Sequence, residues 1–458
     1  MLYKTLKTYN KNIYPFHMPG HKRNPQFLPA NLHELDQTEI PGLDNLAQPS
    51  GIIKATEEAL AKMFGADYTH MLTNGSTCGI TAAIMALAKD KDTVILARNC
   101  HRSVYNGLVL SGAAPAYIYP DVCANGLIGG VSASAAAQAL AENPSAKAVV
   151  ITSPTYEGFV SDISAMSSVC RKHNVPLVVD EAHGAHFNFS EFFPVSALEL
   201  GADVVVHSLH KTLPALTQTA LLHVKGNAVC LRKLKNAINL IQTTSPSYIF
   251  MGVTDFLRQE ILSNSTYFDN YTKKLAHLRE ILHNLDTIHL IGRESCGQNS
   301  IFDIDLAKLV FTLDNMCGYT LELTLRRNYG LQMEAAAKNH ITAITTIADT
   351  DDGFARLAAA LQEINKQPRD NSVPVYNNYS TIRPEIALSP REALKHPAKS
   401  VPLQNSEGLI CTEFIIPYSP GVPLIVPGEV ISAQIIARIK ECSGVIGAAD
   451  GTIQILDL

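Results

Sequence analysis

Apolar residues Ile52, Ile53, Ala59, Leu60, Met63 and Phe64 recur at helical spacing. That pattern predicts a helix over 52–64, with Gly65 where a C-terminal stop belongs. Short apolar runs of strand length follow at 93–96, 148–152, 176–179, 203–206 and 219–224. Helical stretches at 132–142 and 162–173 lie between several of them. Strands alternating with helices imply parallel crossovers and a sheet covered on both faces. The run Val204-Val205-Val206 fits a strand buried on both sides.

The texture changes near residue 300. Residues 301–306 alternate like a half-exposed strand, 315–328 look helical, and 341–348 form another strand-like run. Residues 367–402 are rich in Pro, Asn and Ser and predict a long surface connection. A turn-rich stretch at 417–428 precedes an amphipathic helix around 429–441. The expected organisation is an arm over residues 1–50, a large α/β domain over 51–295, and a smaller α+β domain over 296–458. The loop-rich linker falls inside the last of these, at about 367–402.

Composition narrows the function. The chain has 458 residues, 46% hydrophobic and only 17% charged. An average domain carries about 25% charged residues, so large buried cores are expected and a disordered chain is excluded. Net charge is −5 with no long basic run, which leaves nucleic-acid binding without an electrostatic footprint. No apolar stretch reaches the ~18 residues of a membrane span. The first residues lack the apolar core of a signal peptide. Nine scattered cysteines without CxxC pairs read as reduced thiols of a cytoplasmic protein.

In an open α/β sheet, chemistry collects at the carboxyl ends of the strands. Three segments fall there. Thr73-Asn74-Gly75-Ser76-Thr77-Cys78-Gly79 opens a helix whose free N–H groups suit a phosphate; alone it reads more readily as a capped strand-to-helix turn. Asp180 in Val179-Asp180-Glu181-Ala182-His183 follows a buried run, where a carboxylate needs a cation. Alone it is equally a helix cap or a surface acid. Lys211 in Ser208-Leu209-His210-Lys211-Thr212 follows another buried run. A partly desolvated lysine there is a nucleophile toward carbonyls, although a single lysine is more often an exposed one. The combination changes this. A phosphate cradle, a buried carboxylate and a lysine on successive strand ends fit a pyridoxal phosphate site. Asp180 would pair with the pyridine nitrogen and Lys211 would form the Schiff base. The histidine pairs His17/His21, His183/His186 and His207/His210 lack a third ligand at diagnostic spacing, so no metal site is expected.

These segments resemble the group I ornithine/lysine/arginine decarboxylases, pyridoxal phosphate enzymes of the aspartate-aminotransferase fold (fold type I). The resemblance runs through Phe16-His17-Met18-Pro19-Gly20-His21-Lys22, Gly42-Leu43-Asp44-Asn45-Leu46, Asn74-Gly75-Ser76-Thr77, Arg98-Asn99-Cys100-His101-Arg102-Ser103 and Ser153-Pro154-Thr155-Tyr156. It continues through Asp180-Glu181-Ala182-His183-Gly184, Ser208-Leu209-His210-Lys211-Thr212, Ser389-Pro390-Arg391-Glu392-Ala393 and Pro417-Tyr418-Ser419-Pro420-Gly421. It implies Lys211 as the Schiff-base lysine, Asp180 as the pyridine-nitrogen partner and His101 as the ring-stacking histidine. Gly75, Ser76, Thr77, Ser208 and His210 resemble phosphate-site residues, and His183 lies where the family contacts the ring-face oxygen. Thr243 resembles the residue that reaches the neighbouring subunit's phosphate, which implies a homodimer with active sites at the interface.

The implied reaction is α-decarboxylation of a basic amino acid, arginine ahead of lysine or ornithine, to agmatine or a diamine plus CO2, in polyamine metabolism. His210 or Lys211 would return the proton to Cα. Glu413 and Asp44 are candidates to read the substrate's cationic end. Glu157, where relatives often carry a second Tyr, reads either as a contact for the substrate's cationic end or as a solvated acid, the solvated reading being favoured. The chain resembles the short bacterial form, without a response-regulator-like N-terminal domain. The alternatives are another reaction on the same fold, transamination or elimination, and a non-catalytic pyridoxal phosphate-binding homologue.

Overall fold

The computed structural model describes residues 2–9, 13–314, 316–366, 382–417, 421–442 and 444–457. Among these, seven strands form the central sheet. Across it lie Tyr68–Leu72, Ala220–Val224, Val204–Ser208, Leu177–Asp180, Val149–Thr152, Thr93–Ala97 and Ala114–Ile118. Pairing is parallel from Val204–Ser208 to the Ala114–Ile118 edge. Ala220–Val224 is the exception and runs antiparallel to both neighbours. Every residue of Leu177–Asp180, Val204–Ser208 and Ala220–Val224 is buried, so both sheet faces are covered, as continuous apolar runs require. This is the fold type I arrangement the sequence led us to expect.

The helices carry the predicted start and stop signals. Ile52–Phe64 ends at Gly65 with φ +72°, a left-handed cap that glycine adopts without strain. Ala133–Glu142 is capped by Ser132 Oγ, and Ile163–Lys172 by the Asp162 carboxylate. Two strands had no readable signal. Tyr68-Thr69-His70-Met71-Leu72 mixes polar and apolar residues yet is almost wholly buried. Ala114–Ile118 contains Pro115, which an edge strand tolerates because one side of its backbone has no ladder partner.

Beyond the central sheet, Ile288–Leu290, Lys308–Leu313, His340–Ile344 and Ala335–Ala336 make a four-stranded antiparallel sheet. Its Leu309, Phe311 and Ile341 belong to the same apolar core as Val178 and Leu222. A separate core gathers Cys411, Ile415, Ile425, Ile435 and Ile453. A third, smaller cluster joins Ile301, Ile304, Leu306 and Val310 to Leu127 and Phe159. The segment after residue 296 therefore packs partly against the large domain and partly around its own interior.

Several boundaries differ from expectation. Only Asp303–Ile304 of the 301–306 run forms a strand, pairing with Phe159–Val160. The helix expected at 315–328 is Gly318–Tyr329, with Asn315 outside the described residues. The terminal helix is Ala433–Glu441, starting at the Ser432 cap. Of the expected surface connection, 367–381 lies outside the described residues. Its remainder is structured: Pro390–Lys395 is a helix with a capping box, and Ala398–Pro402 pairs with Thr452–Leu456. Ser389, Pro390 and Glu392 are helix-start chemistry that a count of loop-forming residues misreads.

Candidate active site

Parallel strands put their carboxyl ends on one edge, and the site forms there. Asp180 ends Leu177–Asp180, aligned with Thr152 on one side and Val206 on the other. Ser208 ends the next strand and leads directly into the turn of helix Leu209–Thr212 that carries His210 and Lys211. Because Ala220–Val224 is reversed, its entry lies on the same edge, and the Gln218 carbonyl accepts from Gly75 N–H at 3.0 Å.

His101, Asp180, His183 and Lys211 line one cavity of about 360 Å³, together with Asn99, Tyr156 and Glu157. Val422, Pro423 and Leu424 form part of its wall. Asp180 is 4% exposed, and its Oδ1 accepts from Ala182 N–H at 3.2 Å. Burial pushes its carboxyl above the ordinary value, while Lys211 pulls it back. Burial lowers the Lys211 ammonium, against the attraction of Asp180 and Glu334. Lys211 Nζ lies 3.1 Å from His183 Nε2. His101 caps helix Arg102–Ser111: its Nδ1 accepts from Ser103 N–H at 3.2 Å, which fixes the ring.

The cradle forms beside this cavity. Gly75 takes φ +74° at the first position of helix Gly75–Leu87, and no side chain caps that terminus. Ser208 Oγ donates to Ser76 Oγ at 2.8 Å, tying the cradle to the strand that carries Lys211. Thr77 flanks the same helix start. His210 Nδ1 lies 3.0 Å from the Thr219 carbonyl. A carbonyl only accepts, so this Nδ1 carries the proton. The N-terminal motif closes the far side: Gly20 N–H donates to the His210 carbonyl at 2.7 Å. A Cβ at Gly20 would meet the Leu213 carbonyl oxygen at 2.5 Å, so only glycine permits this approach.

Several expectations are corrected. Glu157 is not solvated: it is 9% exposed on the cavity wall. Burial raises its carboxyl, and Lys308 is among the groups pulling it back. Asp44 does not face the cavity. Its carboxylate accepts from Gly51 N–H at 2.7 Å and Ile53 N–H at 3.0 Å, serving as the cap that Gly51 cannot supply to helix Ile52–Phe64. Its pKa is about 2, because backbone N–H groups outweigh the effect of burial. Glu413 accepts from Gln454 N–H at 2.7 Å and is spent within the C-terminal unit. Thr243 is exposed after helix Leu231–Ile241 and does not line the cavity of its own chain. Tyr418-Ser419-Pro420 lies outside the described residues.

The histidine pairs are split by the fold. His186 meets Asp305 at 3.0 Å, and His207 meets Glu181 at 2.6 Å. Among the described residues, no three His, Cys, Asp or Glu side chains are grouped to hold a metal. Sequence reasoning missed Lys308 and Glu334. Lys308 Nζ is 2.6 Å from His183 Nδ1, and Glu334 accepts from Tyr156 Oη at 2.8 Å and Met18 N–H at 2.9 Å. Neither lies in a motif that announces chemistry: Lys308 opens a strand of the second sheet and Glu334 sits at the bend between Leu331–Met333 and Ala335–Ala336, and both reach the site only through folding.

The buried histidines give a pH prediction. Burial lowers His101, His210 and His340 each to about 4. The unfolded chain then binds more protons than the native state between its ordinary value, about 6.5, and pH 4. Stability is fully present above that window and is lost as pH falls through it. The urea midpoint is expected to drop steadily from pH 6.5 to pH 4; a flat profile across that range would contradict neutral burial of these rings.

The fold and this lysine–carboxylate–histidine cavity define a fold type I enzyme. The chain belongs to the Orn/Lys/Arg decarboxylases: the model of that family's major domain matches residues 1–308 and that of its C-terminal domain residues 374–442. The arginine decarboxylase of Halalkalibacterium halodurans is 33% identical, over 94% of this chain and 90% of that protein. The arginine decarboxylase of Bacillus subtilis is 32% identical, over 96% and 92%. In structure, the lysine decarboxylase of Francisella novicida superposes with a TM-score of 0.79 at 19% identity, covering 100% of this chain and 83% of that one. No helix among the described residues is long and apolar enough to cross a membrane.

Proposed function

We propose that the protein decarboxylates arginine with pyridoxal phosphate, as a homodimer in the cytoplasm. The observation that carries this reading is the convergence of Lys211, Asp180, His101 and His183 on one cavity. The chemistry of the donor set fits the cofactor. Asn99 Oδ1 is buried on that wall and accepts no hydrogen bond from the described residues, so the cavity suits a polar occupant. Gly75, Ser76, Thr77, Ser208 and His210 would hold the phosphate, Asp180 the ring nitrogen and Lys211 the carbonyl carbon.

When bound, pyridoxal phosphate supplies an electron sink for the bond electrons left at Cα as CO2 departs. Asp180 keeps the ring nitrogen protonated, because a buried carboxylate gains most from a cationic partner. His101, locked by Ser103, offers a flat face to the ring. Val422, Pro423 and Leu424 exclude water. Of the two candidate proton donors, Lys211 fits better. His210 already commits its Nδ1 proton to Thr219, and burial opposes a second proton on that ring. Thr243, exposed outside its own cavity, is available to a partner's phosphate. The nine cysteines are all free thiols, which suits a reducing compartment. Arginine is favoured over lysine because the two arginine decarboxylases match over most of both chains.

The test is CO2 release from arginine, lysine and ornithine by purified enzyme loaded with pyridoxal phosphate. Arginine should give the highest kcat/KM, with agmatine as product. A keto acid in place of CO2 and amine would sink the decarboxylase reading, and a preference for lysine would sink the substrate assignment.

A further inference from the structure

His183 stands between two lysines. Lys211 Nζ lies 3.1 Å from its Nε2, and Lys308 Nζ lies 2.6 Å from its Nδ1. Tyr156 packs edge-on against the ring, with centroids 5.4 Å apart. The imidazole is thus held in place, and the remaining question is where its proton sits. Lys308 is 2% exposed, on the first residue of strand Lys308–Leu313. Its stem is clamped: a Cβ at Gly158, where φ is +97°, would meet Lys308 Cγ at 2.9 Å.

A neutral imidazole has one donor and one acceptor nitrogen, so only one of the two lysines can donate to it. The shorter approach is from Lys308, as a charged donor predicts. Three carboxylates, Asp305, Glu334 and Glu157, favour the charged form of Lys308, whereas Lys211 and burial oppose it. Burial lowers the Lys211 ammonium, with Asp180 and Glu334 opposing that. We propose that Lys308 is a positioning residue, whose ammonium donates to His183 Nδ1 and thereby sets the imidazole proton on Nε2, aimed at the Lys211 amine. The arrangement runs in one direction, from Lys308 through the ring to the lone pair of Lys211. In the chain before substrate arrives, it holds Lys211 as an unprotonated nucleophile and makes His183 a hydrogen-bond donor at the reacting centre. Burial brings the Lys308 ammonium down to about 8, still charged at neutral pH. His183 itself stays neutral: burial lowers it first, with Lys211, Lys308, His210 and His101 adding to that.

The inference rests on the functional reading above, and the experiment separates the two. In the full-length chain without cofactor, histidine-selective ¹⁵N NMR, with His183→Gln to assign the signal, should show His183 protonated on Nε2. In Lys308→Met that preference should be lost, and Lys308→Arg, which keeps a charged donor, should restore it. After loading with pyridoxal phosphate, the pH midpoint of the visible band should move up by about one unit in Lys308→Met, because a cation beside the Lys211 nitrogen is gone. kcat should fall about 10- to 100-fold with KM little changed. A wild-type His183 protonated on Nδ1 overturns the proposal even if Lys308→Met does not fold. So does a Lys308→Met protein with unchanged tautomer and unchanged midpoint. A wild-type protein with no visible band would defeat the cofactor assignment instead, while the NMR result still decides the role of Lys308.

Discussion

Lys211→Ala is expected to abolish the visible band of the protein with pyridoxal phosphate and to lower kcat by about 10⁴-fold or more, the scale on which loss of a covalent nucleophile is felt. The size follows from position. Lys211 shares the cavity wall with Asp180 and lies 3.1 Å from His183 Nε2, and burial lowers its ammonium toward the nucleophilic amine. Lys211→Arg should fail equally, because a guanidinium retains charge and does not form the required bond to carbon. Folding should be little affected, since the variant removes a buried ionisable group and leaves the strand Val204–Ser208 intact. Absorbance spectra and CO2 release measure both effects; a Lys211→Ala protein that kept the band would refute the cofactor assignment.

Arg98→Met should be the most destabilising of the single changes considered, by about 3–5 kcal/mol, the range for breaking a buried ion pair. Arg98 and Glu429 are 7% and 1% exposed and meet at 2.9 Å. Arg98 also donates to the Pro423 carbonyl at 2.7 Å and the Leu424 carbonyl at 3.0 Å. It therefore fastens the C-terminal core to the end of strand Thr93–Ala97 and sets the cavity wall at the same time. Removing it leaves the Glu429 carboxylate buried without its cation. Replacing both partners, as Arg98→Met with Glu429→Leu, should recover much of the loss, because no charge is then stranded. Urea unfolding of the single and double variants measures this. A single variant within about 0.5 kcal/mol of wild type, the range of ordinary surface changes, would show that the pair does not bind the two units together.

Much of this arrangement was legible in the chain. Continuous apolar runs such as Val204-Val205-Val206 identify doubly buried strands because a parallel sheet leaves no polar face to alternate with. Asp180 stands out directly after such a run and Lys211 in the turn that follows one, because a charged residue there is costly unless it is used. The strand Tyr68–Leu72 was not legible, since its polar residues find partners only in the fold: Thr69 Oγ1 meets His223 Nδ1 at 2.7 Å. Glu157 was misread for a related reason. Sequence marks it as a surface acid, and the folded chain buries it on the cavity wall within reach of the Lys308 charge.

The alternation of strands and helices, the helix caps, and the order of cradle, carboxylate and lysine are written into the chain locally. These depend on neighbours a few residues apart, so local periodicity and composition encode them. Tertiary structure alone decided that Ala220–Val224 runs backwards, that Asp44 is a helix cap, and that Lys308 and Glu334 join Lys211 and His183. Lys308 comes from a strand about a hundred residues beyond the lysine it influences. Such pairings are set by how whole elements pack to bury their apolar faces, and no local pattern records which side chains that packing brings together.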